Sequence, residues 1–321
     1  MRCFLLFPHV QHPLHFSFWR DFIKRRLTTL IFSAVMLLGS AVALAGQVGI
    51  IVPSYFYPGT GGPGGSGDGW ASMAQAAATV PITAILNPNS GPGSSVDPNY
   101  VSAATNLEAA GGKVIGYVYT NYGATSITSV ESQINAYISQ YGNLINGFFL
   151  DGTNIVPNTL SYYQSLNSYI HGLNSSYTVV SNPGQPYLNG LTPAQYLSTA
   201  DVFNIFEGPT YDAPANQDGF NTFPYGQNWY QSYSSSHFSA IITGVTSQSV
   251  MQSDLAQATA LNFGQVYIAN SNSYANLPSY WNAEVSAVST ASAGVPDPAV
   301  TLLFALSIGG LLTIRKRFIR G

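Results

Sequence analysis

Eight short apolar runs, each closed by a polar or aromatic cluster, recur along this chain and narrow its possible folds sharply. They are Val48–Pro53, Ile82–Asn87, Val114–Tyr119, Gly147–Asp151, Tyr177–Asn182, Val202–Glu207, Phe238–Gly244 and Gln265–Asn270. The intervals are long enough for one helix each. Helical stretches are expected at Gly69–Thr79, Pro98–Ala110, Ser126–Tyr141, Thr159–Leu173, Thr192–Thr199, Gln248–Leu261 and Leu277–Val288. Between runs six and seven, Gly208–Tyr233 reads mostly as loop. Strands alternating with helices give βαβ units and a parallel sheet. Eight units is the count of an α/β fold of one kind, the closed (β/α)8 TIM barrel, as a single domain with its chemistry at the carboxyl ends of the strands.

The ends of the chain read as targeting segments. Lys24-Arg25-Arg26 precedes the apolar stretch Leu27–Leu44, which ends in Ala43-Leu44-Ala45. A basic region, an apolar region and a small-residue cleavage site make residues 1–45 a signal peptide, with maturation near Gly46. The same stretch also fits an uncleaved anchor. The leader before Lys24 is long for a signal peptide, as an overextended start would make it. At the other end, Val295-Pro296-Asp297-Pro298 precedes a sixteen-residue, mainly apolar run, Ala299–Ile314, and then Arg315-Lys316-Arg317. The run is short against the ~20 residues that span hydrocarbon, and the basic cluster would stay on the cytoplasmic side.

Between these ends, residues 46–290 suit one barrel-sized domain, with Ser289–Gly294 expected as a short tether. Its charge is lopsided: eleven acids against Lys113 alone, a net charge of −10, although the whole chain shows −3. Such a surface repels phosphate backbones and argues against a nucleic-acid partner. It fits either a cationic ligand or plain solubility outside the cell. The single cysteine, Cys3, lies in the leader, so the mature domain has neither disulfide nor thiol nucleophile. A monomer stabilised by its own core is expected.

Asp151 closes GFFLD and Glu207 closes VFNIFE. A charge at the end of a strongly apolar strand is costly unless it emerges into a site. In a barrel the ends of strands four and six face one mouth, and two carboxylates there suit glycoside hydrolysis. The bland alternative is that each caps the next helix. Around the mouth, Tyr55, Tyr57, Tyr117, Tyr119, Tyr122 and Tyr211 offer flat faces with a hydroxyl handle. Asn87, Asn89, Asn121, Asn182, Asn204 and Asn270 offer the donors and acceptors that sugar hydroxyls require. Trp229 and Trp281 read either as stacking platforms or as packing residues.

Other chemistries fare worse. Lys113 begins strand three, on the face opposite the mouth, which argues against a Schiff-base lysine. His171 falls on a helix and His237 just before strand seven, so neither is placed as a base. No His/Cys/carboxylate cluster has metal-ligand spacing, and no Gly-x-Ser-x-Gly elbow appears. Gly59–Gly69 lacks the Gly-Lys-Ser/Thr ending of a phosphate loop. No cofactor and no metal are expected.

VPSYFYPG, AILNPNSGPG, GYVYTNYG and GFFLD, in this order and spacing, resemble the spherulin-4 (spherulation-specific) family of secreted proteins, from about Val48 to Asn270. The resemblance implies a (β/α)8 barrel and, in its characterised branch, hydrolysis of α-1,4-linked N-acetylgalactosamine in galactosaminogalactan-type exopolysaccharide. It places the family's strand-four aspartate on Asp151 and its strand-six glutamate on Glu207. Many members carry a second acid after that aspartate, where this chain has Gly152. The tail resembles the PEP-CTERM sorting signals of Gram-negative bacteria that secrete exopolysaccharide, with Asp297 in place of the usual Glu. That implies an exosortase-type partner and a membrane passage through residues 291–321 before processing; a plain C-terminal anchor is the alternative. The combined expectation is a secreted or cell-surface endo-acting glycosidase of a biofilm polysaccharide. Asp151 is its nucleophile and Glu207 its acid/base, and Tyr55, Tyr57, Asn87, Tyr117, Tyr119, Asn121, Asn182, Asn204 and Tyr211 bind the substrate. A non-catalytic carbohydrate-binding barrel is the main alternative, and a structural matrix protein a third.

Overall fold

A computed structural model describes residues 47–212 and 218–294. The expected signal peptide and sorting tail fall outside these residues, apart from the tail's first four. Among the described residues, eight parallel strands follow one another in chain order: β1 Ile50–Ser54, β2 Ile82–Leu86, β3 Lys113–Tyr119, β4 Gly147–Asp151, β5 Thr178–Ser181, β6 Val202–Pro209, β7 Phe238–Thr243 and β8 Gln265–Ile268. The sheet closes on itself where Gly49 bridges Gln265 in parallel. Gly49 donates to the Gly264 carbonyl, and its own carbonyl accepts from Val266, both at 2.9 Å. The architecture is the (β/α)8 barrel that the spacing of apolar runs predicts.

Six of the seven expected helices form close to their predicted bounds: α1 Gly69–Ala77, α2 Pro98–Ala109, α3 Ile127–Tyr141, α4 Leu160–Leu173, α5 Pro193–Leu197 and α6 Gln248–Ala260. Local chemistry sets their starts. Asp68 caps α1 through the Trp70 and Ala71 amides, Asp97 caps α2 through Asn99, and Thr192 and Gln195 form a reciprocal capping box on α5. The last helix departs from expectation. α7 runs from Trp281 to Gly294, so residues 289–294 continue the helix rather than form a tether. Ser292 fastens its end to the barrel, accepting from the Val48 amide at 3.0 Å. Between β6 and β7 the described residues hold three short 3-10 turns and no α-helix.

The strand interiors are almost wholly apolar and buried; β4 reads as four buried residues followed by half-buried Asp151. At ~25 cal/mol per Å2, each fully buried Phe or Leu stabilises by about 2 kcal/mol, and this large core needs no disulfide. Trp281 is buried. Trp229 donates to the Pro186 carbonyl at 2.7 Å and packs among Tyr196, Tyr230 and Phe238. Both tryptophans are therefore packing residues.

Candidate active site

Parallel register puts strand ends side by side: Tyr119 lies opposite Asp151, and Tyr117 opposite Phe149. Tyr117 leans toward the carboxyl end and donates to Asp151 Oδ2 at 2.6 Å. Asn182, just beyond β5, donates through Nδ2 to Asp151 Oδ1 at 2.8 Å and to Glu207 Oε2 at 2.6 Å. One nitrogen thus bridges both carboxylates. Laid end to end, its two bonds hold Oδ1 and Oε2 within about 5.4 Å of each other.

Glu207 reaches the mouth through an irregularity in β6. Register with β7 runs Asn204 opposite Ser239 and then Phe206 opposite Ala240, so Ile205 is an inserted residue. A bulge shifts the alternation of side chains by one. Asn204 and Glu207, three apart, therefore share the interior face, which a regular strand would forbid. The polar column rises from below: Ser239 donates to Asn204 Oδ1 at 3.2 Å, and Asn204 Nδ2 donates to Asn182 Oδ1 at 2.9 Å. The column meets the carbonyl side of the Asn182 amide, and the Asp151 carboxylate, which can only accept, holds the NH2 toward the mouth.

Burial and neighbouring groups set the electrostatics of Glu207. Burial raises the Glu207 pKa above the ordinary glutamate value, and the nearby Asp151 charge raises it further. Hydrogen bonds from Tyr274 and Asn182 hold it back in part. Asp151 is half-buried and accepts two donors. Tyr117 and Tyr274 keep their protons far above neutrality, first through burial and then through the carboxylates they face. Lys113, the single lysine among the described residues, stands exposed at the start of β3, at the opposite end of the barrel. The pair is thus held by neutral donors.

Tyr274 is a site residue that strand-end patterning does not reveal. It lies six residues beyond β8 in SNSYANLP, and its hydroxyl donates to Glu207 Oε1 at 2.7 Å. Tyr55 stands edge-on between Tyr117 and Tyr274, with both ring centroids 5.7 Å away. A signal exists, since Tyr274 occupies a βα loop as Tyr55 and Tyr122 do, but it lies too far from its strand to count as a strand end.

The predicted residues divide into three groups. Asp151, Glu207, Tyr55, Tyr117 and Asn182 come together in the mouth, with Asn204 buried beneath them. Tyr119 and Asn121 flank the group at the rim, the Tyr119 hydroxyl 3.3 Å from Asn121 Oδ1. The remaining substrate-binding candidates are engaged elsewhere or stand apart. Tyr57 bonds Asp97 and Asn99 at the start of α2. Asn87 accepts from the Gly91 amide and shapes its own loop. Tyr211 projects from the loop after β6, 58% exposed. Asn270 bonds the Val245 carbonyl and the Ser279 amide. His171 pairs with Asp201 at 3.1 Å, and His237 contacts the Asp201 carbonyl, both remote from the mouth.

Gly152 shows how the chain accommodates the absence of a second acid. Its φ is +59°, and a Cβ there would lie 2.4 Å from Tyr119 Cε2. The Tyr119 ring occupies the space that any side chain at 152 would need. Among the described residues no group of three His, Cys, Asp or Glu side chains could hold a metal ion.

A (β/α)8 barrel whose mouth holds two bridged carboxylates among tyrosines is a carbohydrate-active barrel, and similarity to known proteins narrows the class. The profile of spherulation-specific family 4 matches residues 49–288, and the chain belongs to that family. It is 33% identical over 245 residues to Spherulin-4 of Physarum polycephalum, covering 74% of this chain and 69% of that protein. The crystal structure of Aspergillus clavatus Sph3 in complex with GalNAc superposes with a TM-score of 0.60 at 25% identity, covering 77% of this chain and 99% of that one.

Proposed function

We propose that this protein is a glycoside hydrolase of an amino-sugar exopolysaccharide, acting as an endo-α-1,4-N-acetylgalactosaminidase by double displacement. The observation that carries it is the bridge from Asn182, which brings oxygens of Asp151 and Glu207 within about 5.4 Å. Retaining enzymes hold their carboxyl groups ~5–5.5 Å apart, and inverting ones ~6.5–9.5 Å. Asp151, hydrogen-bonded and partly solvated, is the nucleophile. Glu207, whose pKa burial raises, serves as acid, then base. The GalNAc bound by Sph3, a structure this chain resembles over most of its length, supports the choice of sugar. In the same reading the chain is exported by its leader, sorted through residues 291–321 by an exosortase-type partner, and works as a monomer at the cell surface.

Gly152 favours a second reading, a barrel that binds polysaccharide without cutting it. The test is reducing-end release from galactosaminogalactan by the purified protein, beside Asp151→Asn and Glu207→Gln. Release abolished by both substitutions is the expected result. Binding without release in all three proteins would select the second reading.

A further inference from the structure

Beside Glu207 lies a cleft of about 450 Å3, lined by Gly208, Pro209, Thr243, Gly244, Ser271, Asn272 and Tyr274. This is within the ~300–1,000 Å3 range of ligand pockets. Its walls come from the ends of β6 and β7 and the loop after β8, so it opens from the mouth on the side away from Tyr117 and Tyr119. Ser271 and Asn272 are exposed. Thr243, Ser271 and Asn272 supply hydroxyl and amide groups, and among the lining residues Glu207 alone carries a formal charge. Neutral hydrogen-bonding walls of this kind suit a sugar ring.

The bonding of Glu207 shows which way a substrate must lie. Oε2 accepts from the Asn182 NH2, a group that has no lone pair to offer and so can face an unprotonated oxygen only. A reversed amide would set its carbonyl oxygen against the Asp151 carboxylate, two acceptors facing each other, so the amide keeps this orientation. The transferable proton therefore belongs on Oε1. Its partner there is the Tyr274 hydroxyl, which donates to the carboxylate and can turn to accept from the carboxylic acid. Tyr274 is also a wall of the cleft, so Oε1 is the oxygen on the cleft side.

We propose that this cleft receives the leaving-group side of an amino-sugar chain, with Tyr274 as the positioning residue that keeps the Glu207 proton on Oε1. The inference rests on the hydrolase reading above and adds a direction to it. The sugar being transferred lies over Asp151, Tyr117 and Tyr119, and the sugar being released lies against Thr243, Ser271 and Asn272. In the first step the Asp151 carboxylate forms a bond to the anomeric carbon while the glycosidic C–O bond breaks. The departing oxygen takes the proton from Oε1 and leaves through the cleft. Water then enters by the same route: its oxygen bonds to the anomeric carbon as the bond to Asp151 breaks, and its proton returns to Oε1.

The test compares two substrates on the full-length protein, galactosaminogalactan and α-N-acetylgalactosaminyl fluoride. Fluoride leaves without protonation and is too small to use the cleft. Two variants probe the site: Ser271→Ala with Asn272→Ala, which strips its polar walls, and Asn272→Trp, which fills it. Loss of one or two hydrogen bonds at ~1 kcal/mol each should lower kcat/KM on the polymer by about tenfold. The kcat/KM of the fluoride should stay within about twofold of the parent, because it reports formation of the bond to Asp151, a step that needs neither the acid nor the cleft. Equal losses on both substrates, or no loss on either, would overturn the proposal while leaving the hydrolase reading intact. A parent protein inert on both substrates would remove the hydrolase reading and this inference with it.

Discussion

Glu284, on α7, makes the fold itself sensitive to pH. It is 1% exposed, and its Oε1 accepts from the Ile268 amide at 2.9 Å, at the end of β8 next to the seam that closes the barrel. Burial pushes its pKa up to about 8, against an ordinary value of 4.5, with the Ile268 hydrogen bond opposing only part of the shift. The folded protein therefore holds this proton up to about pH 8, whereas the unfolded chain releases it near 4.5. A raised folded-state pKa gives stability that is complete below the unfolded value and is lost as pH climbs toward the folded one. The loss is about 1.4 kcal/mol per pH unit, so roughly 3 kcal/mol by pH 7 and about 5 kcal/mol above pH 8. Glu284→Gln keeps the shape and the acceptor for Ile268 but has no proton to lose. Urea midpoints of both proteins between pH 4 and 9 would measure the difference. Below about pH 4.5 it should be small and constant, and by pH 7 the variant should gain roughly 3 kcal/mol over the parent. A difference that does not change with pH would refute the reasoning, since it would mean Glu284 ionises alike in both states.

Three further predictions concern the mouth. Tyr274→Phe removes a donor that lowers the Glu207 pKa, so the alkaline limb of kcat/KM should move to higher pH; a limb that moves down would show that the hydroxyl favours the protonated acid over the carboxylate. Asn182→Ala takes a hydrogen bond from each carboxylate and strands the Asn204 amide. Turnover should fall by about a hundredfold and stability by about 1–3 kcal/mol, read from steady-state rates and urea midpoints. Gly152→Ala should cost about 1–2 kcal/mol, because φ is positive and the new Cβ meets Tyr119. Combining it with Tyr119→Ala should recover the steric share, and a strictly additive pair would show that the ring is not the obstacle.

How far the sequence can be read depends on how local the cause is. Strand positions follow from apolar runs that no surface segment would carry, and β4 begins and ends where GFFLD does. Helix starts follow from Asp68, Asp97 and Thr192, whose capping is settled within four residues. The two carboxylates are legible because a charge at the end of so apolar a strand is too costly to keep unless it opens into a site. What stays hidden depends on distant partners. Nothing in VFNIFE announces the bulge at Ile205, which depends on pairing with β7 and decides which way Glu207 points. Tyr57 and Asn87 look like their neighbours in sequence, yet bonds to Asp97 and Gly91 fix them outside the central group. Ser289–Gly294 is small and polar enough to read as tether, and it becomes helix because Ser292 docks on Val48. Tyr274 is hidden for the same reason, since its contact with Glu207 spans 67 residues of chain.

The most direct test of the account is to capture the sugar on Asp151. Glu207→Gln, given α-N-acetylgalactosaminyl fluoride, can still form the bond to Asp151 because fluoride needs no acid, but it lacks the base that activates water for release. Mass spectrometry of the protein and its peptides should show one sugar residue added, on the peptide that holds Asp151. A sugar found on another residue, or steady release with inversion and no adduct, would contradict the assignment of Asp151 as nucleophile and of Glu207 as its acid/base.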